Sequence, residues 1–193
     1  MGGNAERQEL PMCECAHDWE QPEKPAAVEA RRVLVLGLGN SLLADDGVGV
    51  QAIRQLRAEP ADATVEWVDG GTMNFTLLQY LEDAPAMIVI DAANFDAPPG
   101  TVRVFEGEDM DRAVTGGRRN SVHEAGLADL MAMARLKDCL PERRALITVQ
   151  PQRIDWGETL SPPVAQALPG ICERARLLAG RWTPDDGARG QAS

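Results

Sequence analysis

Apolar residues along this chain follow two alternating rhythms. Val33 to Leu38 is an unbroken aliphatic run closed by Gly39-Asn40, the pattern of a strand buried on both faces of a parallel sheet. From about Asp45 to Arg57 the apolar positions Val48, Ala52, Ile53 and Leu56 recur at three- and four-residue spacing behind two acids. That predicts a helix whose first turn carries the negative charge its dipole favours. Thr64 to Val68 reads as a second strand, Asn74 to Leu81 as a short helix, and Ala86 to Asp91 as a third, fully apolar strand. Strand and helix alternate, so a doubly wound α/β sheet is the predicted class.

After the third strand the alternation breaks. Pro98-Pro99-Gly100 leads directly into Thr101 to Phe105, which leaves no room for a crossover helix and predicts a strand antiparallel to its neighbour. Asp109 to Asn120 is polar and contains glycine, and is expected to be a long functional loop. Val122 to Leu136 predicts a helix with Leu127, Leu130, Met131 and Ala134 inward. Leu146 to Val149 predicts a last strand and Pro162 to Leu178 a final helix. The expected sheet is mixed and five-stranded. The folded unit is residues 31–182, between an acidic N-terminal extension (1–30) and a polar C-terminal tail (183–193). The extension holds seven acids, two bases and three prolines, a composition expected to stay disordered.

Composition narrows the function without naming it. The chain is 44% hydrophobic and 25% charged, as globular proteins are, and no apolar run approaches membrane-spanning length. A net charge of -11 argues against nucleic-acid binding, which needs clustered Lys and Arg. Four cysteines are too few for a disulfide framework at this size, and Cys139 and Cys172 read as buried or partly buried apolar residues. The first residues lack a secretory signal pattern, so a cytoplasmic, monomeric protein with no membrane partner is expected.

Open α/β sheets bind ligands beyond the carboxyl ends of their strands, and three of the predicted strands run into carboxylates: Asp45-Asp46 after the first, Asp69 after the second and Asp91 after the third. A dinucleotide site is the obvious rival, since Gly37-x-Gly39 follows a strand and Asp69 ends the next. Leu42 stands at the third glycine position, however, and Asp45 and Asp46 would repel a pyrophosphate at the helix start. His123 opens a helix just after the polar loop. If it converges with Asp46 and Asp69, the three make an oxygen-oxygen-nitrogen face suited to nickel or zinc.

The remaining residues have plainer readings. Asp45 is expected to cap the helix from Gly47, and Asp91 to be structural or to stand behind the ligands. Gly70 and Gly71 would let the backbone approach a substrate or take positive φ. Gln150 would bond an extended substrate, and Trp156-Gly157 would begin a covering loop. Cys13, Cys15 and His17 form a possible metal cluster in the extension, against the plainer reading of an unstructured tail.

The segments from Leu36 to Gly49 (LGLGNSLLADDGVG), Val68-Asp69-Gly70-Gly71-Thr72, Ser121-Val122-His123 and Val149-Gln150-Pro151 together resemble the nickel-iron hydrogenase maturation endopeptidases, over about Val33 to Trp182. The resemblance implies a three-layer α/β/α sandwich with a five-stranded mixed sheet, of the phosphorylase/hydrolase-like kind. It implies an endopeptidase that removes the C-terminal extension of the hydrogenase large-subunit precursor after nickel insertion. Asp46, Asp69 and His123 match the family's metal-contacting and catalytic positions. The nickel would arrive with the precursor, so no permanently bound cofactor is expected. The chain departs from its relatives at Asn74, Glu124 and Thr148, where glycine, glutamine and glycine are common, and this bears on which hydrogenase isoenzyme is served. Sequence leaves open which acid is the general base, and whether the protein cuts the precursor or only binds it as a metal-dependent chaperone.

Overall fold

The aliphatic runs become the middle of the sheet. In the computed structural model, which describes residues 32–60, 62–72, 75–115 and 122–183, β1 (Val33–Leu38) and β3 (Ala86–Ala92) are buried along their whole length. β2 (Val65–Gly71), β4 (Val102–Glu106) and β5 (Arg143–Val149) complete a sheet in the order β2-β1-β3-β5-β4. β1 pairs in parallel with β2 and β3, and β3 with β5, while β4 runs antiparallel to β5 at the edge. The sheet is therefore mixed and five-stranded among the described residues, as expected. The extension 1–30, with Cys13, Cys15 and His17, and residues 184–193 lie outside them.

Helices cover both faces because the strands are apolar on both. On one face α1 (Val48–Arg57) and α5 (Pro162–Trp182) pack through Ile53, Leu56, Ile171 and Ala175 against Val35, Ile88 and Ile147. On the other, α2 (Leu78–Leu81), α3 (Glu108–Thr115) and α4 (Val122–Leu136) cover Leu36, Met87, Val89 and Leu146. Leu127, Leu130, Met131 and Ala134 are all buried, as the helical spacing predicts. Among the described residues, no helix is long and apolar enough to cross a membrane.

Several boundaries differ from the sequence reading. Asp109 to Asn120 is not wholly a loop, since Glu108–Thr115 forms α3. Only two large apolar side chains mark it, Met110 and Val114, four residues apart and both buried. Its first-turn acids suit the helix dipole. Asp111 adds a tie to the sheet by accepting both Nε and Nη2 of Arg144, at 2.8 and 2.6 Å. The helix expected from Asp45 begins as a 3-10 turn over Ala44–Gly47 before α1. β2 and β5 are longer than predicted, and α5 continues to Trp182, whose side chain closes the end of the core.

Candidate active site

The site begins where β1 ends. Gly39 turns the chain with φ 127, and a side chain there would stand 1.8 Å from the Asp46 carbonyl oxygen. Only glycine lets the 3-10 turn fold back this closely. That return brings the Asp46 carboxylate, 3% exposed, onto the Asn40 N–H at 2.8 Å. The Asn40 side chain accepts the Leu42 N–H at 3.0 Å and holds the turn between them.

Asp69 arrives from the neighbouring strand. Gly37 pairs with Asp69 but Leu38 pairs with Gly71, so the register slips at Gly70. Such a bulge bends the strand and re-aims the side chains beside it. Gly71 takes φ 50 and bonds the Gly39 N–H through its carbonyl at 2.8 Å, while its own N–H reaches Asp69 Oδ1 at 3.1 Å. Asp46 and Asp69 therefore flank one backbone hydrogen bond, Gly39 to Gly71. Asp46 is buried and Asp69 exposed. Asp69 lines a cleft of about 380 Å³ with Thr72, Thr76 and Tyr80. A second cleft, of about 500 Å³, borders the same β1–α1 loop at Ser41 and Leu42 and includes Arg54 and Glu158.

Asp45 is not the helix cap expected of it. No side-chain bond caps α1 or the 3-10 turn before it. Its fully buried carboxylate instead accepts the Gln152 and Arg153 N–H groups at 2.9 and 3.1 Å, the Ser161 N–H at 2.6 Å and the Ser161 hydroxyl at 2.7 Å. Asp45 thus clamps both ends of the loop after β5. That loop also lies along the β1–α1 turn: Leu43 bridges Gly157, Ala44 N–H bonds Gly157 O at 2.6 Å, and Gly157 N–H bonds Leu42 O at 2.9 Å. It presents Trp156, 81% exposed, with Ile154 and Leu42 also exposed. The covering loop expected at Trp156-Gly157 is therefore a fixed wall beside the Asp46 turn.

Gln150 is likewise used within the protein and not left for a substrate. Its Oε1 accepts the Phe95 and Ala97 N–H groups at 2.8 and 3.3 Å, and its Nε2 donates to Asn94 Oδ1 and Pro151 O at 3.1 and 3.3 Å. It fixes the loop after β3. Asp91 is buried, with Oδ1 accepting the Ala92 N–H at 2.8 Å. Cys172 is buried too, and that burial pushes its thiol up to about 11, the state of an inert core cysteine. His123 is placed by its backbone in the first turn of α4, and its side chain falls outside the described part. Among the described residues no group of three His, Cys, Asp or Glu side chains is gathered as a metal site. Asp46 and Asp69 lie on the two strand ends joined by the Gly39–Gly71 backbone bond.

Sequence reading missed Asn40, Ser161 and the true partners of Asp45. Asn40 and Asp45 stood inside a visible motif. Ser161, just ahead of Pro162-Pro163, carried no signal beyond a helix start.

Comparison with known proteins gives one consistent family. A family model described as hydrogenase maturation protease matches residues 50–176, a span that includes Asp69 and His123. The hydrogenase expression/formation protein HupD of Rhodobacter capsulatus is 41% identical over 155 residues, covering 79% of this chain and 73% of that protein. Among solved structures, the hydrogenase maturating endopeptidase HybD from E. coli superposes with a TM-score of 0.69 at 30% identity, covering 75% of this chain and 89% of that one. The [NiFe] hydrogenase maturation protease HybD from Thermococcus kodakarensis gives 0.67 at 30% identity, covering 77% and 99%.

Proposed function

Since the chain belongs to the hydrogenase maturation protease family and is a peptidase, we propose that it removes the C-terminal extension of a nickel-iron hydrogenase large-subunit precursor once nickel is in place. The precursor's nickel docks against Asp46, Asp69 and His123. Recognition and cleavage then depend on the same ion, and a nickel-free precursor offers these ligands nothing to hold. The observation that carries this reading is the pair of carboxylates flanking the Gly39–Gly71 bond, one fixed and buried, the other at the mouth of a cleft.

Nickel in the precursor polarises the scissile carbonyl and acidifies a water beside it. That water adds to the carbonyl carbon, a carboxylate accepts its proton, and the proton passes to the leaving amine as the peptide bond breaks. Asp46 is suited to hold position, since one oxygen already accepts the Asn40 N–H. Asp69 is exposed, so it can take a proton and exchange it with solvent. No thiol serves as nucleophile in this scheme, which agrees with the buried, un-ionised Cys172.

The test is to incubate the purified protein with nickel-loaded and nickel-free precursor and follow the precursor mass, with a His123→Ala variant in parallel. Loss of the extension only with nickel and only with His123 intact is the expected result. A stable complex of unchanged mass would overturn cleavage and leave a chaperone.

A further inference from the structure

The loop after β5 holds a bulky apolar side chain out in solvent and is not free to fold it away. Trp156 is 81% exposed, and Leu42, on the neighbouring β1–α1 turn, is 47% exposed. Asp45 anchors the loop at Gln152, Arg153 and Ser161, and the bridge between Leu43 and Gly157 anchors its middle. That bridge is parallel. The residues just before it, Leu42 and Trp156, therefore stand side by side at a strand spacing of roughly 4.8 Å, and make a short apolar ridge. Single exposed apolar residues are ordinary, but a tryptophan beside a leucine on a fixed frame has the make-up of a contact surface.

The ridge adjoins the carboxylate site. The Asp46 N–H bonds Leu43 O at 3.2 Å, so Asp46 and the ridge belong to one turn. Leu42 also borders the cleft of about 500 Å³ that it shares with Ser41, Gln51, Arg54 and Glu158. Ser41 directly follows Asn40, whose N–H holds the Asp46 carboxylate. Across the cleft, Gln51 of α1 donates from Nε2 to Glu158 O at 3.2 Å and ties the helix to the loop. Among the described residues neither Arg54 nor Glu158 makes an ion pair. An apolar ridge opening onto a polar trough suits an extended peptide, with a side chain on the ridge and main chain over the trough.

We infer that the Leu42–Trp156 ridge docks the precursor itself: an extended stretch next to the scissile bond lays an apolar side chain against Trp156 while its main chain crosses the trough between Ser41 and Gln51. Position identifies the occupant. A chain cut beside Asp46 advances about 3.3 Å per residue, and the ridge sits on the Asp46 turn, so residues within a few positions of the cut reach it. The loop is already fixed by Asp45, which spares the complex the cost of ordering it. Leu42 and Trp156 touch no reacting atom; they select the precursor by an apolar side chain, separately from the ion. This inference rests on the reading of the chain as a peptidase for that precursor.

The test compares Trp156→Ala, Trp156→Phe and Leu42→Ser with the parent on nickel-loaded precursor. Trp156→Ala should raise KM at least about tenfold while kcat and Tm stay near parental, because the side chain is exposed. Trp156→Phe should recover most of the loss, and Leu42→Ser should raise KM in the same sense. If the parent binds the precursor without cutting it, the same comparison is read as Kd, so the functional reading falls and the docking surface is still tested. Parental KM or Kd in both Trp156→Ala and Leu42→Ser would overturn the inference, as would a loss confined to kcat. A parental dimer that dissociates in Trp156→Ala with KM unchanged would assign the ridge to a second copy of the chain and overturn it too. A precursor neither cut nor bound by the parent would remove both readings.

Discussion

Replacing Asp45 with alanine separates a helix cap from a buried clamp, because the two roles differ in size. A lost cap costs about 0.5–2 kcal/mol. The Asp45 carboxylate, fully buried, accepts four hydrogen bonds from the loop after β5. Gln152 and Arg153 are exposed, so water can replace the carboxylate there. The N–H and hydroxyl of Ser161, a residue 2% exposed, have no such replacement. A hydrogen bond to a charged acceptor contributes about 1.5–3 kcal/mol, so losing these two gives a destabilisation of about 3–6 kcal/mol. Against a typical total of about 5–15 kcal/mol, that is a large share. At roughly 2–4 °C per kcal/mol, Tm should drop by at least about 6 °C. Urea unfolding of Asp45→Ala, Ser161→Ala and the double variant measures it directly. Because Ser161→Ala deletes one of the same bonds, the two changes should be non-additive, with a coupling of about 1–3 kcal/mol. A cost near 1 kcal/mol for Asp45→Ala, or effects that add within about 0.5 kcal/mol, would refute the clamp.

Three other substitutions probe the site, the packing of α1 and the ion pair at α3. Asp69→Asn, at an exposed position, should change stability by less than about 0.5 kcal/mol yet reduce precursor cleavage at least a hundredfold; near-normal turnover in a mass assay would remove Asp69 from the site. Gly49→Ala should destabilise by about 1–3 kcal/mol or more, because its Cβ would stand 2.3 Å from both the Ile90 and Leu38 carbonyl oxygens; a wild-type Tm would contradict that close packing of α1 on the sheet. The Arg144 guanidinium, hydrogen-bonded to Asp111, holds its carboxyl below the usual carboxylate range. A depressed folded pKa adds stability above the unfolded value and loses it as pH falls through the folded one. Asp111→Asn should therefore be less stable than the parent at neutral pH, and the gap should close in strong acid. A gap independent of pH would mean the pair contributes nothing through its charge.

The chain's own pattern was enough for the sheet. Apolar runs at Val33–Leu38 and Ala86–Ala92 can be buried only on both faces, which demands helices above and below, and the missing crossover before Val102 demands an antiparallel edge. The acids ending the strands were visible for the same local reason: a strand's carboxyl end is where the chain stops being apolar. α3 was hidden because two large apolar residues in a charged stretch are too few to set a period.

What Asp45 and Gln150 do was decided only by the tertiary structure. Asp45 and Asp46 are adjacent, yet one accepts from Asn40, six residues away, and the other from donors 107 to 116 residues away. A side chain's hydrogen bonds depend on which segments folding lays beside it, and nothing in the spacing of residues along the chain records that. Sequence supplied the carboxylates and the strand ends that carry them. Packing chose which carboxylate became a buried clamp and which were left at the site.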